Sequence, residues 1–562
     1  MDFLPGNNTM TTRQISFLLL AVFLLLYILP LGARPLFIPD ETRYAEVPRE
    51  MIESGDWVVP HLNGLRYFEK PVMGYWLSAI SLLTFGENNF GIRFPMAVTA
   101  GLTAFLLFLF CKSVFPFRSE SIWLAPLILL TSFGVATIGT IAVLDNALTF
   151  FLTATLITFF WASEQQAASG RERSLLFLSG LLAGCAFLTK GFLAFAVPVL
   201  TVAPYLIQQK RGRDCLRLLP LILLGALLVS LPWAVLIHQR EADFWNYFFF
   251  TEHVHRFLAD DAQHREVFWF FLAALPFLFL PWSFIAPTAL KELLEHKPSD
   301  QAQSRLLSFC CCWLLFPLLF FSISKGKLLT YILPCFPPLA ILTALGLELG
   351  WQQERLKKWF NRGVLMTIIL FAAFLIALPL FQLIGPEEYQ PYSTPWKWLL
   401  LCGCLFLTVI TLFASLQAQQ WLPKIILFTL APLSLLMILP FSLPQQILGI
   451  KAPGPLFEKY ATTIDNRTLI MSGEETARAA AWYFKRDDIV LIERGGELDY
   501  GLKYEDARQR LLSPEAAGDT IRSRHHPVLL VVEEDEYDHW HTSLPTPTEM
   551  DRMGKFMVLF YR

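Results

Sequence analysis

The sequence predicts an α-helical integral membrane protein that carries a small α/β domain at its C-terminal end. Hydrophobic residues make up 54% of the 562 residues and the mean hydropathy is +0.47, a composition that many helices in lipid require. Apolar runs of about 20 residues, the length of a membrane-spanning helix, recur up to residue 446. Beyond that point charged residues return and the apolar runs shorten. We therefore predict a transmembrane domain over 1–446 and a second domain over 447–562.

Apolar runs long enough to cross a bilayer occur about 13 times. The run 72–86 is shorter and follows Pro71, so we predict an interfacial helix there, with Tyr75 and Trp76 at headgroup depth. The predicted spans are 15–33, 95–113, 121–142, 146–163, 174–189, 192–208, 217–238, 267–289, 305–323, 328–349, 363–384, 397–417 and 424–443.

Lysine and arginine residues predict the orientation. They are concentrated in alternate loops, such as 209–217 and 355–362, which places those loops in the cytoplasm. Counting 72–86 as a span would break this alternation. The first apolar run is long and no small-residue cleavage site follows it, so we do not expect a cleaved signal peptide. The first loop on the opposite, periplasmic side is 34–94, and the C-terminal domain lies on that side too.

The C-terminal domain alternates short apolar runs with helical patterns, which is typical of an α/β fold. It has no glycine-rich phosphate loop after a strand, so we assign it no nucleotide. The predicted strands are 468–472, 489–493, 528–532 and 556–561, and the predicted helices are 476–484 and 514–523.

Charged residues gather just after the first span, where Asp40, Glu41, Arg43 and Tyr44 follow one another. Ionisable groups at a membrane surface suggest a site for a charged substrate that a lipid carries. If a helix begins at Asp40, Arg43 and Tyr44 lie on the same face as Asp40. The alternative for Asp40 is a helix N-cap.

Three more segments of the periplasmic side carry ionisable residues that we expect to converge with the first. One contains Tyr67, Glu69 and Lys70, another has Asp145 at the mouth of a span, and the last is 251–265. A helix N-cap is also the alternative for Asp145. Lysine and arginine hold phosphate groups, although any single one can simply extend to the interface. The basic residues on this side are Arg43, Arg66, Lys70, Lys190, Arg256, Arg265, Lys325 and Lys327.

A metal site is a further hypothesis for the segment 251–265. Glu252, His253 and His255 are suitable ligands, and Glu69 could complete a zinc site. The alternative is an interfacial segment whose polar groups meet water and headgroups. No spacing here matches a specific metal motif, so we expect that no cofactor is required and keep a divalent metal such as zinc, on Glu69 and His253, as the alternative.

Seven segments resemble the bacterial transferases that place 4-amino-4-deoxy-L-arabinose on lipid A, a family within the GT-C class of lipid-dependent glycosyltransferases. The resemblance extends from about residue 30 to the C-terminus. It implies a GT-C fold, an undecaprenyl phosphate-linked donor, lipid A as acceptor in the inner membrane, and resistance to polymyxin and other cationic peptides. The matching segments are 39–46, 64–71, 142–145, 189–194, 261–265, 324–328 and 496–504.

The resemblance and the charge pattern together give a set of expected site residues. Asp40 and Asp145 are the expected catalytic residues, although a proton role for Asp40 stays open because an acceptor phosphate is already an anion. The expected substrate-binding residues are Arg43, Tyr44, Tyr67, Glu69, Lys70, Lys190, Arg256, Arg265, Lys325, Lys327 and Tyr331.

Two other functions compete with this one. A related transferase would use another sugar, such as galacturonic acid, or a protein acceptor; the acids on the periplasmic side favour a sugar that carries an amine. A transporter of lipid-linked sugars would be expected to show paired broken helices, which the sequence does not suggest. We expect a monomer among membrane lipids and no nucleic-acid partner.

Overall fold

The computed structural model describes residues 11–115, 121–255, 265–296, 298, 300–386 and 390–562, and the side chains of 253–255 lie outside this description. The N-terminal four-fifths of the chain forms helices, as the sequence predicts. These helices are Thr12–Phe23, Leu24–Ile28, Asp40–Ser54, Met73–Phe85, Asn89–Val114, Ser121–Thr131, Phe133–Ile138, Asp145–Ser163, Gly170–Lys190, Leu193–Gln208, Asp214–Arg240, Phe244–Asn246, Tyr247–His255, Phe270–Leu278, Trp282–Phe284, Ala286–Glu295, Gln301–Ile323, Leu329–Cys335, Phe336–Gly350, Glu354–Ile384, Pro395–Gln417, Trp421–Leu430, Leu433–Ile438 and Gln445–Lys451.

Every predicted span coincides with one of these helices or with two or three consecutive ones. Within the described ranges, nine helices are long and apolar enough to cross a membrane, or ten if one sharply bent pair counts as a single span. The remaining three predicted spans correspond to shorter apolar helices at Thr12–Ile28, Ser121–Thr131 and Leu193–Gln208. The protein is thus a multi-pass membrane protein, and the count of about 13 spans stays a prediction.

The predicted span 267–289 corresponds to a sharply bent pair of helices. Helices Phe270–Leu278 and Trp282–Glu295 meet at an angle of 111°. Pro281 lies at the break, and proline lacks the amide hydrogen that a continuing helix needs and disfavours helical geometry in the residue before it. Hydropathy alone cannot reveal such a bend.

The first loop, 34–94, is folded rather than irregular. Helix Asp40–Ser54 is followed by a hairpin of strands β1 (His61–Leu62) and β2 (Leu65–Arg66) and then by helix Met73–Phe85. Asn63 and Gly64 form the hairpin turn with φ values of 57° and 68°, a backbone that Asn-Gly adopts readily. Helix Met73–Phe85 confirms the predicted helix at 72–86, and its interfacial position stays a prediction.

The C-terminal domain has a six-stranded sheet. Its strands are β3 (Leu469–Ser472), β4 (Val490–Ile492), β5 (Leu511–Leu512), β6 (Val528–Glu533), β7 (Glu549–Met553) and β8 (Phe556–Tyr561). The spatial order is β5-β4-β3-β6-β8-β7, parallel from β5 to β6 and antiparallel beyond it. The four predicted strands and both predicted helices are confirmed, whereas the short β5 and the polar β7 were not predicted. The helices of this domain are Gly454–Ala461, Ala477–Phe484, Gly496–Leu498, Asp499–Leu502, Glu505–Arg510, Pro514–Ser523 and Glu534–Trp540.

This sheet domain is packed against the first loop. Helix Ala477–Phe484 contacts helix Asp40–Ser54. The buried amide of Asn63 donates to the Ile489 carbonyl at 2.9 Å and accepts from the Ile489 N–H at 3.0 Å. The first loop is therefore held between the membrane helices and the sheet domain. The boundary at 446/447 remains a proposal.

Candidate active site

The start of helix Asp40–Ser54 is fixed by a buried carboxylate. Glu41 is fully buried and accepts hydrogen bonds from Arg34 at 2.5 Å and from Arg93 at 2.7 and 2.9 Å. The N–H groups of Phe37 and Ala142 also donate to it, at 2.9 and 3.0 Å. Burial raises its pKa, but the two arginines outweigh that effect and hold the pKa well below the usual range. Glu41 therefore anchors the loop; it belongs to the charged run after the first span and is not one of the expected site residues.

On the other side of the helix, Arg43 lies among carboxylates. It pairs with Asp40 three residues earlier. One of its terminal nitrogens lies 2.7 Å from both carboxylate oxygens of Glu497, which belongs to the sheet domain. The same nitrogen lies 3.3 Å from the Tyr67 hydroxyl and 3.8 Å from Glu69. Arg43 is itself buried. Its partners come from its own helix, from the segment that contains Tyr67 and Glu69, and from the sheet domain.

Lys70 forms the second part of the cluster. Its ammonium donates to the Glu69 carbonyl at 2.9 Å and to the Glu252 carboxylate at 3.2 Å. Burial raises the pKa of the Glu69 carboxyl, and the nearby charges of Glu497 and Glu252 add to the rise. The second and fourth predicted segments therefore meet at Lys70, as expected from the sequence.

The third part of the cluster is the pair Asp145 and Lys190. The lysine ammonium lies 2.7 Å from the Asp145 carboxylate and 4.8 Å from the centre of the Tyr331 ring. Both charged residues are nearly buried. The Lys190 ammonium therefore pairs with the Asp145 carboxylate and also lies near the ring of Tyr331. An aromatic ring attracts a cation placed over its face.

A close contact between two helices brings the pair Asp145 and Lys190 near the cluster around Arg43 and Lys70. Helix Met73–Phe85, which follows Lys70, packs against helix Gly170–Lys190. A Cβ on Gly74 would overlap the side chain of Leu144, the residue before Asp145, so glycine is needed there. Burial raises the pKa of Tyr44, and the charges of Arg43, Asp40, Asp145 and Glu69 all act on it. Tyr44 thus lies within electrostatic reach of both catalytic candidates.

The basic segment near residue 326 lies beside Tyr331. Arg265 and Gly326 pair as an antiparallel bridge, and the Glu266 N–H donates to the Lys325 carbonyl at 3.2 Å. The buried Lys327 donates to the Glu266 carbonyl at 2.8 Å. These contacts bring Arg265, Lys325 and Lys327 together just before the turn of helix that contains Tyr331.

This geometry bears on the N-cap alternative for the two expected catalytic residues. Asp40 and Asp145 are the first residues of their helices, whose cap positions are Pro39 and Leu144, so neither carboxylate acts as the N-cap. Arg66 forms ion pairs with Glu241 and Asp506.

The metal hypothesis concerns the segment 251–265, which the structure describes only in part. Arg256 lies outside the described residues, as do the side chains of His253 and His255. Among the described residues, no group of three His, Cys, Asp or Glu side chains is arranged to hold a metal ion.

Two site residues were missed by sequence reasoning, Glu497 and Arg478. Arg478 donates to Glu497 at 3.0 Å and to Glu475 at 3.2 Å. Burial raises the pKa of Glu497, but Arg43 and Arg478 outweigh it and lower the pKa to about 2. The signal for Glu497 was its place in the family-like segment 496–504, which had been given no role.

Comparison with known protein families matches two parts of the chain. Residues 14–248 match the family described as dolichyl-phosphate-mannose-protein mannosyltransferase. Residues 449–560 match the family described as the C-terminal domain of the arabinosyl transferase ArnT. The two matches cover most of the membrane helices before the broken pair and nearly the whole sheet domain.

Individual relatives cover almost the full length. The undecaprenyl phosphate-alpha-4-amino-4-deoxy-L-arabinose arabinosyl transferase of Shewanella sediminis is 40% identical over 542 residues, 96% of each chain. The enzyme of the same name from Pectobacterium carotovorum is 39% identical over 558 residues, 97% of this chain and 98% of its own. The crystal structure of ArnT from Cupriavidus metallidurans bound to undecaprenyl phosphate superimposes with a TM-score of 0.82 over 98% of each chain at 21% identity. The GT-C fold expected from the sequence is confirmed.

Proposed function

The chain belongs to the family of undecaprenyl phosphate-alpha-4-amino-4-deoxy-L-arabinose arabinosyl transferases, and we propose that it transfers this aminosugar from undecaprenyl phosphate to a phosphate group of lipid A. It is a lipid-dependent glycosyltransferase with many membrane helices. The proposed place of reaction is the periplasmic face of the bacterial inner membrane. Adding a cationic sugar would mask negative charge on lipid A, which accounts for resistance to polymyxin and other cationic peptides.

One observation supports the proposal more than any other: each cation of the cluster is paired with carboxylates. Arg43 lies between Asp40 and Glu497, and Lys70 contacts Glu69 and Glu252. Lys190 contacts Asp145. The donor carries an anionic phosphate beside a sugar with a cationic amine, so a site that alternates both signs of charge matches the donor at both ends.

The chemistry is a displacement at the anomeric carbon of the sugar. A lipid A phosphate oxygen forms a bond to that carbon, and the bond to the donor phosphate oxygen breaks, with its electron pair leaving on undecaprenyl phosphate. The attacking phosphate is already an anion, so the reaction depends little on a general base. Catalysis then rests on holding two lipids in line and on balancing charge.

The residues take the following proposed roles. Lys70, Arg43 and Lys190 stabilise charge on the departing phosphate, because ammonium and guanidinium groups are strong donors to phosphate oxygens. Asp40 and Asp145 pair with the sugar's amine and position the sugar. Tyr44, Tyr67, Glu69 and Tyr331 line the sugar and phosphate. The basic residues Arg265, Lys325 and Lys327, with Arg256, receive the acceptor phosphate.

The proposal is tested with purified enzyme in detergent and synthetic donors. Undecaprenyl phosphate carrying aminoarabinose should be consumed in the presence of lipid A, and the released lipid phosphate is measured by chromatography. The matched control is the same lipid carrying L-arabinose, which lacks the amine, and it should react poorly because Asp40 and Asp145 then lose their partner. Equal rates for the two donors would contradict the proposed role of the carboxylates.

A second candidate function follows from the match to the mannosyltransferase family over residues 14–248. A protein acceptor, or a donor with a neutral or acidic sugar, would fit the same helices. Mannose-linked and galacturonic acid-linked lipids with a peptide acceptor, run in the same assay, separate this candidate from the first. We favour the aminosugar because five carboxylates, those of Asp40, Glu69, Asp145, Glu252 and Glu497, contact the three site cations.

A metal requirement is kept as a separate proposal. Glu69 and His253 are the residues that would hold a divalent ion such as zinc, and we propose that transfer proceeds without it because the lysines and arginines can balance the phosphate charge. Chelator added to the assay should change the rate by less than about twofold. Full loss of transfer that zinc restores would establish the metal site instead. We also propose that the enzyme acts as a monomer.

A further inference from the structure

We propose that Glu497, a residue of the sheet domain, is a positioning residue that holds Arg43 in its working orientation, so that the sheet domain completes the active site. This inference rests on the proposed function, in which Arg43 contacts the donor phosphate. Glu497 lies in the segment 496–504, one of the segments that resemble the family.

The contacts of Glu497 come from both the first loop and the sheet domain. Both of its carboxylate oxygens lie 2.7 Å from one terminal nitrogen of Arg43, and the Tyr67 hydroxyl lies 3.4 Å from one of them. Within the sheet domain, Arg478 donates to Glu497 at 3.0 Å. Glu497 is thus held by a second arginine while it holds the first. A fixed carboxylate of this kind restricts where the Arg43 guanidinium can point.

The local sequence explains why Glu497 reaches this position. It follows Gly496, whose φ is +56°, a backbone conformation in which most side chains are strained. A Cβ on Gly496 would also overlap the Glu474 carboxylate. The turn Gly496–Leu498 therefore needs glycine at its first position, and that turn directs Glu497 out of the sheet domain and towards the first loop.

Without Glu497, Arg43 would keep two acidic neighbours. Asp40 would remain on one terminal nitrogen, and Glu69, now 3.8 Å from the other, would become the nearest alternative. The guanidinium would then turn towards Glu69 and away from its present place. A displacement of about 1 Å at a reacting site costs roughly 100-fold in rate.

Glu497 is ionised throughout the range in which such an enzyme is assayed. The two arginines lower its pKa to about 2 although burial acts in the opposite direction. Glu497→Gln therefore removes a charge that is present at neutral pH, and it keeps the size of the side chain. This makes glutamine the appropriate test substitution.

The experiment is a double-mutant cycle in the purified full-length enzyme. Glu497→Gln should lower kcat by about 100-fold with a smaller change in KM, and Glu497→Asp should recover part of the loss. In an Arg43→Ala background, Glu497→Gln should change the rate by less than about twofold, because a residue that acts only through Arg43 has nothing left to position. Binding of undecaprenyl phosphate is measured for wild type, the two single variants and the double variant; Glu497→Gln should weaken it, by less than it lowers kcat, only when Arg43 is present.

The matched control is Glu533→Gln. Glu533 is another buried glutamate of the sheet domain; it pairs with Lys555 and has no ion pair with Arg43 or Arg478 among the described residues. We expect it to lower thermal stability and leave kcat within about twofold. If Glu497→Gln does not fold, the cycle is run with Glu497→Asp, for which the same dependence on Arg43 is expected.

The outcomes separate this inference from the proposed function. Glu497→Gln within threefold of wild type, or an equal loss with and without Arg43, would overturn the positioning role. Wild-type enzyme that transfers no aminoarabinose would contradict the proposed function, and the cycle measured by undecaprenyl phosphate binding would still decide the role of Glu497.

Discussion

Glu41 and Arg43 lie two residues apart in one helix, yet their surroundings differ in kind. The Glu41 carboxylate is fully buried and receives two arginines and two backbone N–H groups. Arg43 meets several carboxylates at once, and its partner Asp40 has a side chain that is 51% exposed. One side of the helix is closed and the other is open to a ligand.

The difference teaches how to separate structural charge from functional charge at a membrane surface. Glu41 has every hydrogen-bonding position filled by protein, so a substrate has nothing to bind there. The Asp40 carboxylate beside Arg43, in contrast, belongs to a side chain that is 51% exposed, so a ligand can reach it. Composition alone does not distinguish the Glu41 side of the helix from the Arg43 side.

The largest expected effect belongs to Lys70, on the open side. Lys70→Ala removes a charge from the departing phosphate, which costs roughly 2.7–4 kcal/mol, or about 100- to 1000-fold in kcat. Lys70→Arg keeps the charge but changes its shape, so we expect partial activity. The measurement is the transfer rate at saturating donor with protein amount checked. A Lys70→Ala enzyme within about threefold of wild type would remove Lys70 from catalysis and pass its role to Lys190 or Lys325.

The next effect concerns the two aspartates. Asp40→Asn and Asp145→Asn keep the size of the side chain and remove its charge. A hydrogen bond to a charged group contributes about 1.5–3 kcal/mol, so each variant should lose roughly 10- to 150-fold in transfer rate. The loss should be much smaller with the L-arabinose donor, which has no amine. Near-normal rates with aminoarabinose in both variants would end the assignment of these residues.

The smallest effect on rate is expected for Glu41, on the closed side. Glu41→Gln leaves Arg34 and Arg93 buried without their carboxylate, a change that costs about 3–5 kcal/mol, and the thermal unfolding temperature in detergent should fall. The rate per folded molecule should stay within about threefold. Glu53→Gln is the control, since Glu53 is 63% exposed and surface ion pairs contribute little. If Glu41→Gln kept a normal unfolding temperature but lost its transfer rate, Glu41 would have a functional role and not a structural one.

The sign of the pH dependence follows from the same contacts. The pKa of Glu41 is lowered by Arg34 and Arg93 even though burial raises it. A carboxylate with a lowered pKa contributes its stability above the unfolded value of about 4.3 and loses that contribution as the pH falls below it. Wild type and Glu41→Gln should therefore differ most in unfolding temperature near neutral pH and approach each other in strong acid.

Much of the fold could be predicted from the sequence because it depends on periodicity and length. Apolar runs predicted the positions of the long apolar helices, and short apolar strands predicted four strands of the sheet. The bend at Pro281 could not be predicted, since hydropathy reports composition and not direction. Strand β5 has only two residues and β7 is largely polar, so neither gives an apolar pattern.

The site was predicted in part. The pairing of Asp40 with Arg43 follows from helical spacing, and the contact of Lys70 with Glu252 agrees with the prediction that both lie on the periplasmic side. Glu497 was missed because its contact with Arg43 joins residues more than 450 positions apart in a different domain. The anchoring role of Glu41 could not be predicted because its partner Arg93 lies in a predicted loop and no local pattern reveals that they meet.

The most direct test of the central claim is mass spectrometry of lipid A from cells that lack their own transferase but supply the donor. Expression of this protein should add the mass of one aminoarabinose to lipid A, and Asp40→Asn and Lys70→Ala at equal protein level should add little or none. Glu41→Gln, where it folds, should still add the sugar. No mass gain with well-expressed wild type, or an equal gain with all three variants, would contradict the account.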